Sequence, residues 1–194
     1  MMSIQGRFKK IFGFKEQYLH ETSIGRIYQH SQEKTIGMMT AFRSEFELKE
    51  NIRRNQQLKF SIQTNGFGFI NLTGHYVENG KPVVEQSFLI ISSPDDNGKL
   101  KGFLKASGHK WNQDSVLYKE FGEKAMLIGT SAGNDTNGNP RWPGLGTEVT
   151  VGDWKANKIG QFYSQLKGRG NRTFVFESAD YEPNLFTKAY RGRV

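Results

Sequence analysis

Between Thr35 and Thr130 the hydrophobic and polar positions alternate in runs short enough to assign. Ile36–Phe42 predicts a short apolar strand. Ser44-Glu45-Phe46-Glu47 has the S-x-x-E form of a capping box and predicts a helix running to about Thr64, closed by Asn65-Gly66 because glycine takes the left-handed conformation at little cost. Phe67–Val77 and Pro82–Ser92 predict two strands joined at Asn79-Gly80, a strong hairpin signal. Pro94-Asp95-Asp96-Asn97-Gly98 predicts a turn. Lys99–Ser107 predicts a helix with Leu100, Phe103 and Leu104 on one side, and Asp114–Lys119 and Lys124–Ile128 predict two further strands. Gly129–Gly146, rich in Gly, Asn, Thr, Ser and Pro, predicts a long surface loop. Beyond it, Glu148–Val151 and Thr173–Glu177 predict strands around an amphipathic helix, Lys155–Leu166, that uses Ile159, Phe162, Tyr163 and Leu166.

The fold expected is α+β: a split β-α-β-β-α-β (ferredoxin-like) sandwich with a C-terminal β-α-β extension. The domain organisation expected is a basic N-terminal segment (1–34), an α+β core (35–130), the Gly/Asn/Pro-rich loop (131–147), and the extension with a basic tail (148–194).

Charge changes this picture. Lys and Arg number 27 against 19 Asp and Glu, a formal net charge of +8, and the surplus sits at both ends: six basic against three acidic residues in 1–34, and eight against four in 153–194. That favours an anionic partner, either nucleic acid or an acidic host protein, with affinity that falls as salt rises. Lys167, Arg169 and Arg172, interleaved with glycines, are candidate phosphate contacts, and Arg141 with Trp142 in the loop and Trp111 in the His109–Ser115 turn are candidate anchors. The absence of cysteine excludes disulfides, thiol nucleophiles and thiolate-bound metals. The histidines show no metal-ligand spacing, so neither a metal nor another cofactor is expected. No apolar run is long enough for a membrane span and the N-terminus lacks a signal-peptide core, so the expected location is the host cytoplasm, or a virion if the chain is packaged.

Polar residues inside apolar patterns are the other candidates. On the first helix of the core, Asn51 and Asn55 fall within the arc of Leu48, Ile52, Leu58 and Ile62. Asn55 reaches into a polar pocket or satisfies backbone groups near a strand end. On the returning strand of the hairpin, Glu85 and Ser87 share a face with Val83 and Leu89. Such a carboxylate takes a charge partner, for which Arg43 is the candidate, or serves acid–base chemistry. His75 on the preceding strand is its candidate partner in a general-base pair. Gln113, Asp114 and Ser115 are expected at the same end of the sheet. Gly66-Phe67-Gly68-Phe69 approaches an RNA-recognition signature but follows the first helix, where the motif does not belong, so core packing of its phenylalanines is the better reading.

The parts Ala41-Phe42-Arg43-Ser44, Glu50-Asn51 with Asn55, Gly66-Phe67-Gly68-Phe69 with Gly74, Glu85-x-Ser87-Phe88-Leu89 and Asn112-Gln113-Asp114-Ser115-Val116 together resemble a group of small phage and bacterial proteins to which no activity is attached. The resemblance implies a phage or mobile-element accessory gene and groups Asn55, Glu85, Ser87 and Gln113 as one cluster. The main expectation is therefore an accessory protein that binds an anionic partner. The alternatives are an enzyme on nucleotides or polynucleotides that uses Glu85 and His75, and a virion component.

Overall fold

The computed structural model describes residues 24–78, 81–93, 95–135, 138, 140–156, 162–166 and 173–177. In chain order these form α1 (Ile24–Glu33), β1 (Ile36–Met39), α2 (Leu48–Thr64), β2 (Gly68–Glu78), β3 (Lys81–Ile91), α3 (Lys99–Lys110), β4 (Ser115–Lys119), β5 (Ala125–Gly129), β6 (Glu148–Ala156), β7 (Phe162–Leu166) and β8 (Thr173–Glu177). The class is α+β, as expected, but the strands close into an antiparallel barrel of order β1-β3-β2-β7-β8-β6-β5-β4.

The closing strands correct the expected C-terminal β-α-β extension. Where a helix over Lys155–Leu166 was expected, β6 runs on through Ala156 and Phe162–Leu166 is a strand paired with β2 and β8. In so short a segment the spacing of Phe162, Tyr163 and Leu166 suits a helical stripe as well as a strand. The β-propensity of paired aromatics and the unpaired edge of β2 decide for the strand. Without β6, β7 and β8, strands β2 and β5 would be open edges; with them every edge is paired.

Closure gives the sheet two different faces. Outside, α2 and α3 cover the sheet: Leu58 and Ile62, with Leu100 and Leu104, pack on Met39, Phe88, Ile90, Val116, Tyr118 and Ile128. Inside, Ile36, Ile70, Leu72, Leu89, Ile91 and Phe174 form a second cluster, joined by Ile27 of α1. Phe67 belongs to the outer cluster and Phe69 meets Phe88 edge to face at 5.7 Å, so the glycine-phenylalanine run is packing.

The start of α2 departs from expectation. The helix begins at Leu48 after Glu47, with no side-chain capping bond, so Ser44 does not cap it. Its buried side chains are Asn51, Asn55, Leu58 and Ile62, while Leu48 is 65% exposed. The helix is turned so that two asparagines, and not Leu48 and Ile52, face the sheet. The reason lies in residues 41–43, which leave β1 with no strand partner. Their main-chain groups are met by side chains: Asn55 Oδ1 accepts from Ala41 N–H at 2.7 Å, Arg54 Nε donates to Ala41 O at 2.7 Å, and Gln113 Nε2 donates to Phe42 O at 3.0 Å. Thr40 Oγ1 accepts from Phe42 N–H at 3.0 Å, and Asn51 brackets Arg43, accepting from its N–H and donating to its C=O, each at 2.9 Å. Each such group left unmet would cost about 1–3 kcal/mol, and together they outweigh the roughly 1.5–3 kcal/mol given up by exposing one leucine.

The loop after β5 is held as firmly. Gly129 lies against the backbone of Gly144, where any Cβ would collide with the Gly144 carbonyl, and its N–H and C=O bond to Thr147 O and Gly146 N. Among the described residues no helix is long and apolar enough to cross a membrane.

Candidate active site

Pleat and register assign each strand residue to the barrel's inside or outside. Gly74 pairs with Glu85, and Leu72 with Ser87, so Glu85 and Ser87 share the inward face with Leu89 and Ile91. His75 pairs with Val84 one step along, on the opposite face, where its Nε2 lies 3.1 Å from Gln165 Oε1. The geometry therefore separates His75 from Glu85 and corrects the expected dyad: residues that oppose each other across a hairpin share a face only in strict register, and this pair is one step out.

Around Glu85 the inner wall is polar and partly open. Gly74 also pairs with Ser164, and Ser164 with Phe174, so Ser164 faces inward beside Gly74. A Cβ built on Gly74 would stand in ordinary contact, 3.6 Å, with both Glu85 Cγ and Ser87 Oγ, so these two side chains flank the bare face of the glycine. Met38, Leu117 and Leu127 are inward-facing neighbours in register with Leu89 or with one another, and each is only half-buried, as are Glu85 and Ser115. At the other end Ile36, Ile70 and Ile91 are buried and α1 adds Ile27. The barrel is closed at the α1 end and open at the Glu85 end.

Polar atoms in this interior lack partners. Ser87 Oγ and Trp154 Nε1 are buried and make no hydrogen bond. Trp154 stacks on Phe174 with centroids 6.1 Å apart and meets Tyr28 of α1 at 4.9 Å. Lys119, paired with Ile36 and so also inward-facing, is 4% exposed, and burial holds its pKa below the usual lysine value, partly countered by Asp153 and Glu123.

The remaining sequence-nominated residues lie elsewhere. Asn55 is the brace described above; its Nδ2 also donates to Gln86 O at 2.8 Å, which fixes β3 between Glu85 and Ser87. Gln113 holds Phe42, and Thr130 and Ser131 bond its own carbonyl. Trp111 is buried in the outer core beneath the Arg54 guanidinium, 5.2 Å from its ring, and so is no surface anchor. Arg43 does not reach Glu85. It pairs with Glu45 at 3.0 Å and Asp114 at 2.9 Å, and those contacts raise its pKa against the opposing effect of burial. Arg141 bonds the same Asp114 oxygen at 2.7 Å and so pins the loop that carries half-buried Trp142. Lys167, Arg169 and Arg172 lie outside the described residues. Among the described residues no group of three or more His, Cys, Asp or Glu could hold a metal ion.

Sequence reading missed Lys119, Trp154 and Ser164. Lys119 was findable, since it has the same parity as Ser115 and Leu117, opposite to Val116 and Tyr118. Trp154 and Ser164 fell in or beside the segment read as a helix.

A sequence model of the S-adenosylmethionine lyase family matches residues 37–181 of the 194. The chain belongs to the S-adenosylmethionine lyase family. The match begins in β1 and runs through every later strand. No curated protein matches the chain. Membership overturns the expectation of a binding protein for nucleic acid or an acidic host protein and favours the enzyme alternative. The formal net charge of +8 is a sum over the whole chain and does not report on the barrel interior. The match also takes in Gly74, Glu85, Ser87, Lys119, Trp154 and Ser164, the residues that line the open end of the barrel and its orphaned donors.

Proposed function

We propose that this chain is an enzyme that cleaves a carbon–sulfur bond of S-adenosylmethionine without water or redox chemistry, at the open end of the barrel around Glu85. The observation that carries the reading is the coincidence of an unbonded buried hydroxyl, Ser87 Oγ, and a half-buried carboxylate, Glu85, on the inner wall of a barrel in a chain of the lyase family. Buried polar atoms are nearly always bonded, and a ligand supplies what the fold does not.

The substrate carries a sulfonium, an ammonium and a carboxylate, so it is a net cation at neutral pH. Glu85 supplies the negative charge that draws it in against the repulsion of the basic surface. Ser87 bonds a substrate polar group, Gly74 leaves room for it, and Trp154 and Phe176 offer ring faces to the sulfonium. The carbon–sulfur bonding pair leaves with sulfur, so the sulfonium departs as a neutral thioether and needs no protein acid; the carbon it leaves is satisfied within the substrate, either by its own carboxylate closing on it as a lactone or by a neighbouring C–H proton passing to Glu85 as an alkene forms. The apolar wall of Met38, Leu117 and Leu127 favours that loss of charge, since a cation held away from bulk water gains when its charge disperses.

We also infer that the first half of the barrel is a split β-α-β-β-α-β unit; the order β4-β1-β3-β2 with α2 and α3 on one face supports it.

The test is proton NMR of S-adenosylmethionine incubated with the protein in oxygen-18 water. Loss of the sulfonium methyl resonance, with a thioether methyl in its place and no heavy oxygen in the initial products, is expected. An intact sulfonium, or loss of the methyl group to another acceptor, would overturn the reading.

A further inference from the structure

By register two hydrogen-bond donors, Lys119 and Trp154, stand on the inner face of the barrel. Lys119 is 4% exposed and makes no hydrogen bond or ion pair among the described residues. Trp154 Nε1 is buried and unbonded. Their places on the wall are close. Lys119 ends β4, and the Tyr118↔Met126 pairing sets it beside Ala125, which pairs with Gly152, two residues before Trp154 on β6. Strands stand about 4.8 Å apart, so β4 and β6 are within reach of two long side chains, and the residues between them, Ala125 and Gly152, are too small to fill the gap. The α1 helix bounds this space: Ile27 joins the cluster that contains Ile36, the partner of Lys119, and Tyr28 touches Trp154.

An ammonium offers three donors and an indole one, and neither accepts. Their complement is a group of acceptors with negative charge. Asp153 and Glu123 act on Lys119 at longer range, and both are exposed. S-adenosylmethionine has a single anionic group. Resting on the reading of this chain as an S-adenosylmethionine-cleaving enzyme, we propose that Lys119 Nζ and Trp154 Nε1 receive the substrate's carboxylate, so that the methionine end enters the barrel first and the adenosine lies toward the mouth at Glu85.

Calorimetric binding of S-adenosylhomocysteine, which lacks the labile sulfonium, is compared with binding of its decarboxylated counterpart. The wild type is expected to prefer the carboxylate-bearing compound by about tenfold or more. Lys119→Met, which keeps the length and removes the charge, is expected to erase that preference while folding with an undiminished melting temperature. Lys119→Arg should retain part of it, and Trp154→Phe should weaken it with the ring stack kept. In turnover, Lys119→Met should raise KM for S-adenosylmethionine far more than it lowers kcat. A preference that survives in folded Lys119→Met overturns the proposal, and if Lys119→Met fails to fold, an undiminished preference in Trp154→Phe together with none lost in Lys119→Arg does so. Cleavage of S-adenosylmethionine by a wild type that shows no such preference overturns this proposal alone, whereas failure of the wild type to cleave it or to bind either compound overturns the functional reading as well.

Discussion

Two polar regions of this molecule look alike in sequence and differ in one physical respect. On the outside of the barrel, Asn51, Asn55, Arg54 and Gln113 spend their side chains on the main chain of residues 41–43. On the inside, Ser87 Oγ and Trp154 Nε1 are buried and make no hydrogen bond, and Lys119, 4% exposed, makes none among the described residues. A buried polar group that is satisfied within the fold stabilises it; one that is left unsatisfied costs stability unless water, an ion or a ligand meets it. The first region is therefore read as scaffold and the second as active site. The two meet at Gln86, whose carbonyl accepts from Asn55 and from Thr40 and which stands between Glu85 and Ser87.

The comparison breaks if either region behaves like the other. The largest effect expected is on the scaffold side: Asn55→Ala strands Ala41 N–H and a bond to Gln86 O, and should lower stability by about 2–4 kcal/mol in a denaturant titration. On the inner side, Glu85→Gln, which keeps the side chain's shape, should still fold cooperatively and lower kcat/KM for S-adenosylmethionine by about 30- to 100-fold, equivalent to about 2–3 kcal/mol of lost charge pairing. Loss of folding in that variant would return Glu85 to a structural role. Ser87→Ala removes an unbonded hydroxyl, so stability should hold or rise slightly while KM increases about tenfold. A clear fall in stability would mean that the hydroxyl serves the fold.

The smallest effect is a pH dependence. Burial lowers the Lys119 pKa in the folded state, so between that value and the unfolded one, near 10.5, the unfolded chain binds more protons and stability rises with pH. Below that window the burial penalty is present in full. Lys119→Met should therefore be more stable than the wild type at neutral pH, with the gap closing as pH approaches 10.5. Tyr118, whose pKa burial pushes up to about 12, works in the opposite sense above pH 10, so the comparison is made between variant and wild type across the same series.

How much of this was legible follows the same division. The elements from Ile36 to Ile128 could be read because apolar runs, Asn79-Gly80 and Asn65-Gly66 mark them locally, and Gly66 does adopt a positive φ of 80° after the helix. The barrel was not legible, because closure depends on pairings between β2 and β7 and between β5 and β6 that no local pattern encodes. The Lys155–Leu166 segment went wrong for want of length, as five residues of Phe162–Leu166 fit either period. Asn55 was legible as a polar residue in an apolar arc, and satisfaction of backbone groups near a strand end is what it does. Glu85 and Ser87 were legible as a pair sharing a face, but which face, and that it encloses an interior, came only with closure. The surplus of basic residues pointed away from the substrate class, because net charge reports on the surface as a whole and not on the barrel interior.

The central claim is that the substrate of this lyase family member enters the barrel. Titrating isotope-labelled protein with S-adenosylhomocysteine and following the three indole N–H resonances tests it most directly. The account predicts that the Trp154 resonance shifts, as its unbonded Nε1–H gains an acceptor, while those of Trp111 and Trp142 stay in place. A saturable shift of Trp111 or Trp142 with Trp154 unmoved would contradict it.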